Sequence, residues 1–249
     1  MKLAIFTPLT SLSRSALLAL ATASLPAADA GFTSLFNGQD LTHWKVPAGD
    51  NGHWKVLDGV IDYDARSEAA GDKNLWSEKE YKDFVLRMDW RIKETTGLYP
   101  VPTVLPDGSH KKGTDGKDIV TPTPNADSGI YVRGTSKAQI NIWCWPIGSG
   151  EVYGYRMDQK MPAAVRAGVT PKIRADKPVG EWNTFEITLK GDRLTVVLNG
   201  KTVIENAQLP GIPAQGPLAL QHHGGFREGK YNPASSLVQF RNVSIRELN

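Results

Sequence analysis

Alternation of apolar and polar residues at a period of two, cut every few residues by glycine-bearing turns, limits this chain to β structure. Phe84, Leu86, Met88 and Trp90 share one side of a segment whose other side carries Val85, Arg87, Asp89 and Arg91. That spacing makes a half-buried strand and not a helix. Leu57-Asp58-Gly59 lies between β-prone runs at 53–56 and 60–63, and Gly191-Asp192 and Asn199-Gly200 separate runs at 182–190, 193–198 and 201–204. Such pairs supply the backbone angles that tight hairpins need, so 182–204 reads as a three-strand meander. Asn37-Gly38 ends a further run at 32–36, and 216–223 and 237–247 complete the set. About a dozen strands with almost no helical pattern predict an all-β protein, a sandwich or jelly roll. A helix of one or two turns is expected only near 77–82.

Two segments interrupt the pattern. Residues 95–126 are rich in Gly, Pro, Lys and Asp, and a loop of that length is either functional or disordered. Residues 157–179 read as a second loop, basic and proline-bearing. At the N-terminus, Lys2, the apolar stretch at 16–23 and Ala28-Asp29-Ala30 fit an export leader with an A-x-A cleavage site. The expected organisation is therefore a signal peptide at 1–30 and one domain at 31–249, exported to the periplasm or beyond the cell. Past residue 30 no run reaches the roughly 18 apolar residues of a membrane span.

Charge excludes some partners. With 29 basic and 26 acidic side chains, the formal charge of +3 is too balanced for nucleic acid or an anionic membrane surface. The single cysteine, Cys144, permits neither an intramolecular disulfide nor a thiolate metal cluster. It reads as a small buried hydrophobe between Trp143 and Trp145.

Three strands put unusual side chains on one face. Tyr131 shares a face with Arg133, opposite Ile130 and Val132. Gln139, Asn141 and Trp143 share a face, opposite Ala138, Ile140 and Ile142. Ala219, Gln221 and His223 share a face, opposite Leu218, Leu220 and His222. A merely solvated face favours Lys, Glu, Ser and Thr. Planar amides, a guanidinium and aromatic rings suit a sugar, which offers paired hydroxyls and an apolar C–H face. The blander alternative is that these groups brace the neighbouring loops. Trp143 and Trp145 are the candidate stacking rings. Asp127, ahead of Ser128-Gly129, reads as a turn former or an acid, and Glu151, within GSGEVYGYR, as a general acid or the start of a strand.

Several signatures are missing: H-E-x-x-H, zinc-spaced ligands, G-x-S-x-G, and Walker or dinucleotide glycine motifs. The E-x-D-x-x-E strand of laminarinase-type glycosidases is absent too. That argues against retaining hydrolysis, which needs two carboxyl groups about 5 Å apart.

The strings GFTSLFNGQDLTHW, SGIYVRG, KPVGEWNTFEITLKGDRLTVVLNG, GPLALQHHG and VQFRNVSIREL, in that order, resemble the 3-keto-disaccharide hydrolase family over nearly all of the chain past residue 31. The resemblance implies a concanavalin A-like jelly-roll sandwich acting on an oxidised disaccharide or glycoside. A ketone at C3 acidifies the C2 proton, so one base and one partner for the enolate suffice. The roles it implies are His223 as base and Arg133 as enolate partner, with a divalent metal as the alternative to Arg133. Gln139, Gln221, Asn141, Tyr131 and Asp127 would hold sugar hydroxyls and Trp143 would be the platform. Many relatives carry E-x-Q-I-x-D, whereas Lys137 and Ile142 occupy the acidic places here. That departure leaves a non-catalytic carbohydrate-binding module, or a surface interaction domain, as alternatives.

Overall fold

In the computed structural model, which describes residues 31–249 apart from residue 233, the alternating segments become strands. The leader expected at 1–30 lies outside the described residues. In chain order the described elements are β1 (Thr33–Ser34), β2 (Trp44–Lys45), β3 (Trp54–Leu57), β4 (Val60–Tyr63), β5 (Leu75–Tyr81), β6 (Phe84–Ile92), β7 (Leu98–Pro102), β8 (Val120–Pro124), β9 (Asp127–Val132), β10 (Thr135–Trp143), α1 (Tyr153–Arg156), α2 (Ala163–Gly168), β11 (Asn183–Lys190), β12 (Arg193–Leu198), β13 (Lys201–Gln208), β14 (Gly216–Leu220), β15 (Gly225–Arg227), β16 (Lys230–Asn232) and β17 (Val238–Glu247).

Turn chemistry sets the hairpins. Asp58 and Gly59 both take positive φ, 49° and 77°, and close β3 onto β4 with Leu57 opposite Val60. Asn199 and Gly200 do the same between β12 and β13. Two consecutive positive φ angles give a turn whose twist matches that of the flanking strands. The meander β11-β12-β13 then extends through β6, β17, β4 and β3 into an eight-stranded sheet, with β1 also paired to β17. A second sheet runs β10-β9-β14-β5-β2.

The two sheets share one core. Leu86, Met88 and Trp90 of β6 and Phe185 and Ile187 of β11 pack with Ile130, Val132, Ile140, Ile142, Leu218 and Leu220 of the second sheet. Full burial of each such side chain contributes about 1.5–3 kcal/mol, which holds an otherwise helix-poor chain in a jelly-roll β-sandwich. Among the described residues no helix is long and apolar enough to cross a membrane.

Three expectations need correction. Residues 77–82 form no helix, because 75–81 is β5, clasped by β14 on one side and β2 on the other. Ser77 also accepts a bond from the Leu218 amide at 2.9 Å, and tertiary pairing overrides the local preference of the Glu-Lys run. The insertion at 95–126 is no open loop: β7 and β8 pair from Leu98–Pro124 to Pro102–Val120. They pair only with each other, so each has a free edge where proline removes no ladder bond. Within 157–179, α2 starts just after Pro162, whose carbonyl accepts from Val165 and Arg166. The helix begins there because proline suits a helix start and blocks its interior.

Candidate functional site

Sheet order brings the three polar strand faces together, since β10, β9 and β14 are direct neighbours. Register fixes who meets whom: Gln139 opposes Tyr131, Asn141 opposes Gly129, Trp143 opposes Asp127, and Ala219 opposes Tyr131. With Ile130, Ile140 and Leu220 turned into the core, the alternate residues look outward onto a groove of about 350 Å³. That volume lies within the range of about 300–1,000 Å³ usual for small-molecule sites.

The floor is an amide pair. The Gln139 Nε2 group donates to the Gln221 side-chain oxygen and, at 3.1 Å, to the Ser128 carbonyl. The Gln221 backbone amide donates to the Gly129 carbonyl at 2.9 Å. Gly129 makes this possible: a Cβ there would stand 2.6 Å from Gln139 Nε2 and 2.7 Å from the Ile140 carbonyl oxygen. Gly129→Ala is accordingly expected to cost about 1–3 kcal/mol in urea unfolding and to displace Gln139 from the floor.

At one end stands His223. Its Nδ1–H donates to the Ala234 carbonyl at 2.6 Å, and its backbone amide donates to Ser236 Oγ at 2.8 Å. A carbonyl only accepts, so the neutral ring carries its proton on Nδ1 and its basic lone pair on Nε2. Asp127 lines the same groove, and its Oδ1 is buried with no hydrogen-bond partner. Burial raises its pKa to about 6, and His223 beside it pulls the other way.

The far wall is aromatic. Trp143 and Trp145 stack at 4.3 Å with 4° between planes, and Tyr153 meets both edge-on. Trp143 is itself buried, its Nε1 donating to the Gly148 carbonyl at 2.7 Å. The surface left to a sugar ring is therefore mainly Trp145 and Tyr153. The insertion supplies the remaining side: Tyr99 of β7 and Asn125, just after β8, both line the groove. The Asn125 and Asn141 side-chain Nδ2 groups are buried without acceptors, so two amide donors stand unpaired in one hollow.

Not every expected residue belongs. Arg133 does not share a face with Tyr131, because it follows the last residue of β9 with φ of 51° and breaks the alternation. Its guanidinium is buried at a different place, donating to the carbonyls of Lys82 and Gly191, each at 2.7 Å, and pairing with Asp83 at 2.8 Å. It clamps the β5–β6 turn to the β11–β12 turn, and its role as enolate partner is withdrawn. Glu151 is also buried outside the groove lining, ion-paired with Arg156. Burial pushes its pKa to about 7, opposed by Arg156 and reinforced by Asp127. Glu151 therefore cannot touch a sugar directly. Tyr131 lies on the groove side of the sheet but is buried against Trp76 and outside the lining, with ring centroids 5.9 Å apart.

The acidic places of E-x-Q-I-x-D are resolved by position. Ile142 points into the core, so the groove loses nothing there, and Lys137 pairs with Asp158 at 2.7 Å. Among the described residues no three His, Cys, Asp or Glu side chains are grouped to hold a metal ion. Sequence reasoning missed Tyr99, Asn125 and Tyr153. The usable signals were an aromatic residue inside a proline-rich insertion and a second one in the glycine-rich GSGEVYGYR.

Residues 31–246 match the family model described as a 3-keto-alpha-glucoside-1,2-lyase-like domain. Among solved structures the chain is similar to three glycosyl hydrolase candidates from Parabacteroides distasonis ATCC 8503. One is 21% identical with a TM-score of 0.54, over 88% of this chain and 95% of the other. The second is 19% identical with a TM-score of 0.53, over 88% and 84%. The third is 20% identical with a TM-score of 0.51, over 87% and 99%. At these identities the likeness is one of fold. No protein of curated function matches the chain.

Proposed function

The chain belongs to the 3-keto-alpha-glucoside-1,2-lyase-like domain family, a carbohydrate-active family, and on that premise we propose that the groove cleaves glycosides already oxidised at C3. The C3 carbonyl makes the C2 proton acidic. His223 Nε2 removes it, and the electron pair moves onto the carbonyl oxygen as an enolate. The unpaired Nδ2 donors of Asn125 and Asn141 supply what that oxygen needs, in place of Arg133. The enolate then reforms the ketone, a C1–C2 double bond appears and the group on C1 departs. Water adds back to C1, and C2 recovers a proton.

One observation carries this reading: His223 is locked with its free nitrogen on Nε2 in a groove that also holds two donors without acceptors. Direct retaining hydrolysis has less support. It needs two carboxyl groups facing the sugar, and of the two nearby only Asp127 lines the groove.

The test is turnover of a 3-keto-disaccharide in heavy water by the purified protein. Release of 3-keto-glucose carrying deuterium at C2 is expected, with the unoxidised disaccharide left intact. Equal cleavage of the unoxidised sugar would sink the elimination. Tight binding without turnover would make the chain a carbohydrate-binding module instead.

A further inference from the structure

We propose that Asp127 is the proton donor to the departing glycosidic oxygen, a role that rests on the elimination reading above. A sugar alkoxide is a poor leaving group, and no step so far protonates it. Asp127 opens β9 opposite Trp143 and so faces the groove between the aromatic wall and His223. Its Oδ1 is cut off from solvent yet bonds to nothing in the protein. A buried ionised oxygen without partners costs far more than a protonated one awaiting an acceptor.

The surroundings favour that proton. Burial disfavours the ionised form of Asp127, with His223 beside it pulling the other way. That holds its proton above the usual carboxylate range. Of Asp127 and Glu151 only Asp127 lines the groove, so it is the carboxyl able to deliver a proton there.

The step balances. The C1–O bond breaks and its electrons go to the oxygen, which takes the proton from Asp127, while the enolate electrons form the C1–C2 double bond. In the second half, water gives hydroxyl to C1 and its proton to the Asp127 carboxylate, and protonated His223 returns a proton to C2. The net change is hydrolysis, with both residues restored.

The test compares Asp127→Asn with the wild type on two 3-keto-glucosides that differ in leaving group. One releases a sugar; the other releases 4-nitrophenolate, which departs without a proton. For the sugar leaving group, kcat of the variant should fall about 10²- to 10³-fold. For nitrophenolate the rate of its release in a single turnover, which precedes hydration, should change less than about threefold, with C2 hydrogen exchange retained. Equal losses on both substrates, or loss of C2 exchange, would place Asp127 on the C2 proton or in the fold and overturn the proposal. Unchanged turnover of both would also overturn it. Failure of the wild type on both substrates removes the elimination reading itself, and this inference with it.

Discussion

His223→Ala lowers turnover of a 3-keto-disaccharide by about 10²- to 10⁴-fold, the usual contribution of a placed general base. The structure makes this a loss of chemistry and not of fold. His223 is partly exposed, and the bond from its backbone amide to Ser236 Oγ survives the substitution. What disappears is the imidazole, whose Nδ1–H is spent on the Ala234 carbonyl and whose Nε2 is the base. Two readouts separate the cases. Deuterium exchange at C2 should vanish with turnover, and added imidazole should restore part of both. Retained C2 exchange in the variant would take the base role away from His223.

Arg156→Leu is the substitution expected to hurt stability most, by about 3–5 kcal/mol. Arg156 is fully buried, pairs with Glu151, and donates through Nη1 to the Gly108 carbonyl at 3.2 Å and to His110 Nε2 at 3.0 Å. It therefore ties the insertion to the segment that pairs with β10 at Asn141. Removing it leaves the Glu151 carboxyl buried without its counter-charge, so the penalty should depend on pH. In the folded protein the Glu151 pKa is raised to about 7, mainly by burial. The folded state thus binds this proton more tightly than the unfolded chain, whose glutamate titrates near about 4.3. The resulting stabilisation is complete below that lower value and is lost as pH rises through the upper one. Without Arg156 the carboxyl holds its proton still more tightly. Urea unfolding should therefore show a modest deficit at pH 5, where Glu151 stays neutral, and a larger one at pH 8. Adding Glu151→Gln should remove the pH-dependent part. A deficit of equal size at both pH values would disprove the link to Glu151.

Much of this could be read from local pattern. Asp58-Gly59 and Asn199-Gly200 each made the hairpin their residue types demand, because positive φ is cheap at those residues. Phe84 to Trp90 buried the expected side. The same alternation put Gln139 and Asn141 outward and Ile140 and Ile142 inward. Where local chemistry competed with long-range pairing, the reading failed. Residues 75–81 became a strand only because β14 and β2, distant in sequence, flank it. The prolines of the insertion spoke against strands until β7 and β8 were seen to pair only with each other.

The chain's own order of residues determined the β-sandwich, its main turns, and which side of β9, β10 and β14 is apolar, since these depend on backbone angles and on burial at a period of two. Tertiary structure alone decided which polar groups meet. Alternation places a side chain on a face, yet it does not say where a strand ends or what lies across from it. Arg133, one residue past the end of β9, left the groove for Asp83, and Glu151 was buried outside it against Arg156. Tyr99 and Asn125 entered from the hairpin that flanks it. Those outcomes follow from strand order and chain crossings, which arise from contacts between residues far apart in the sequence.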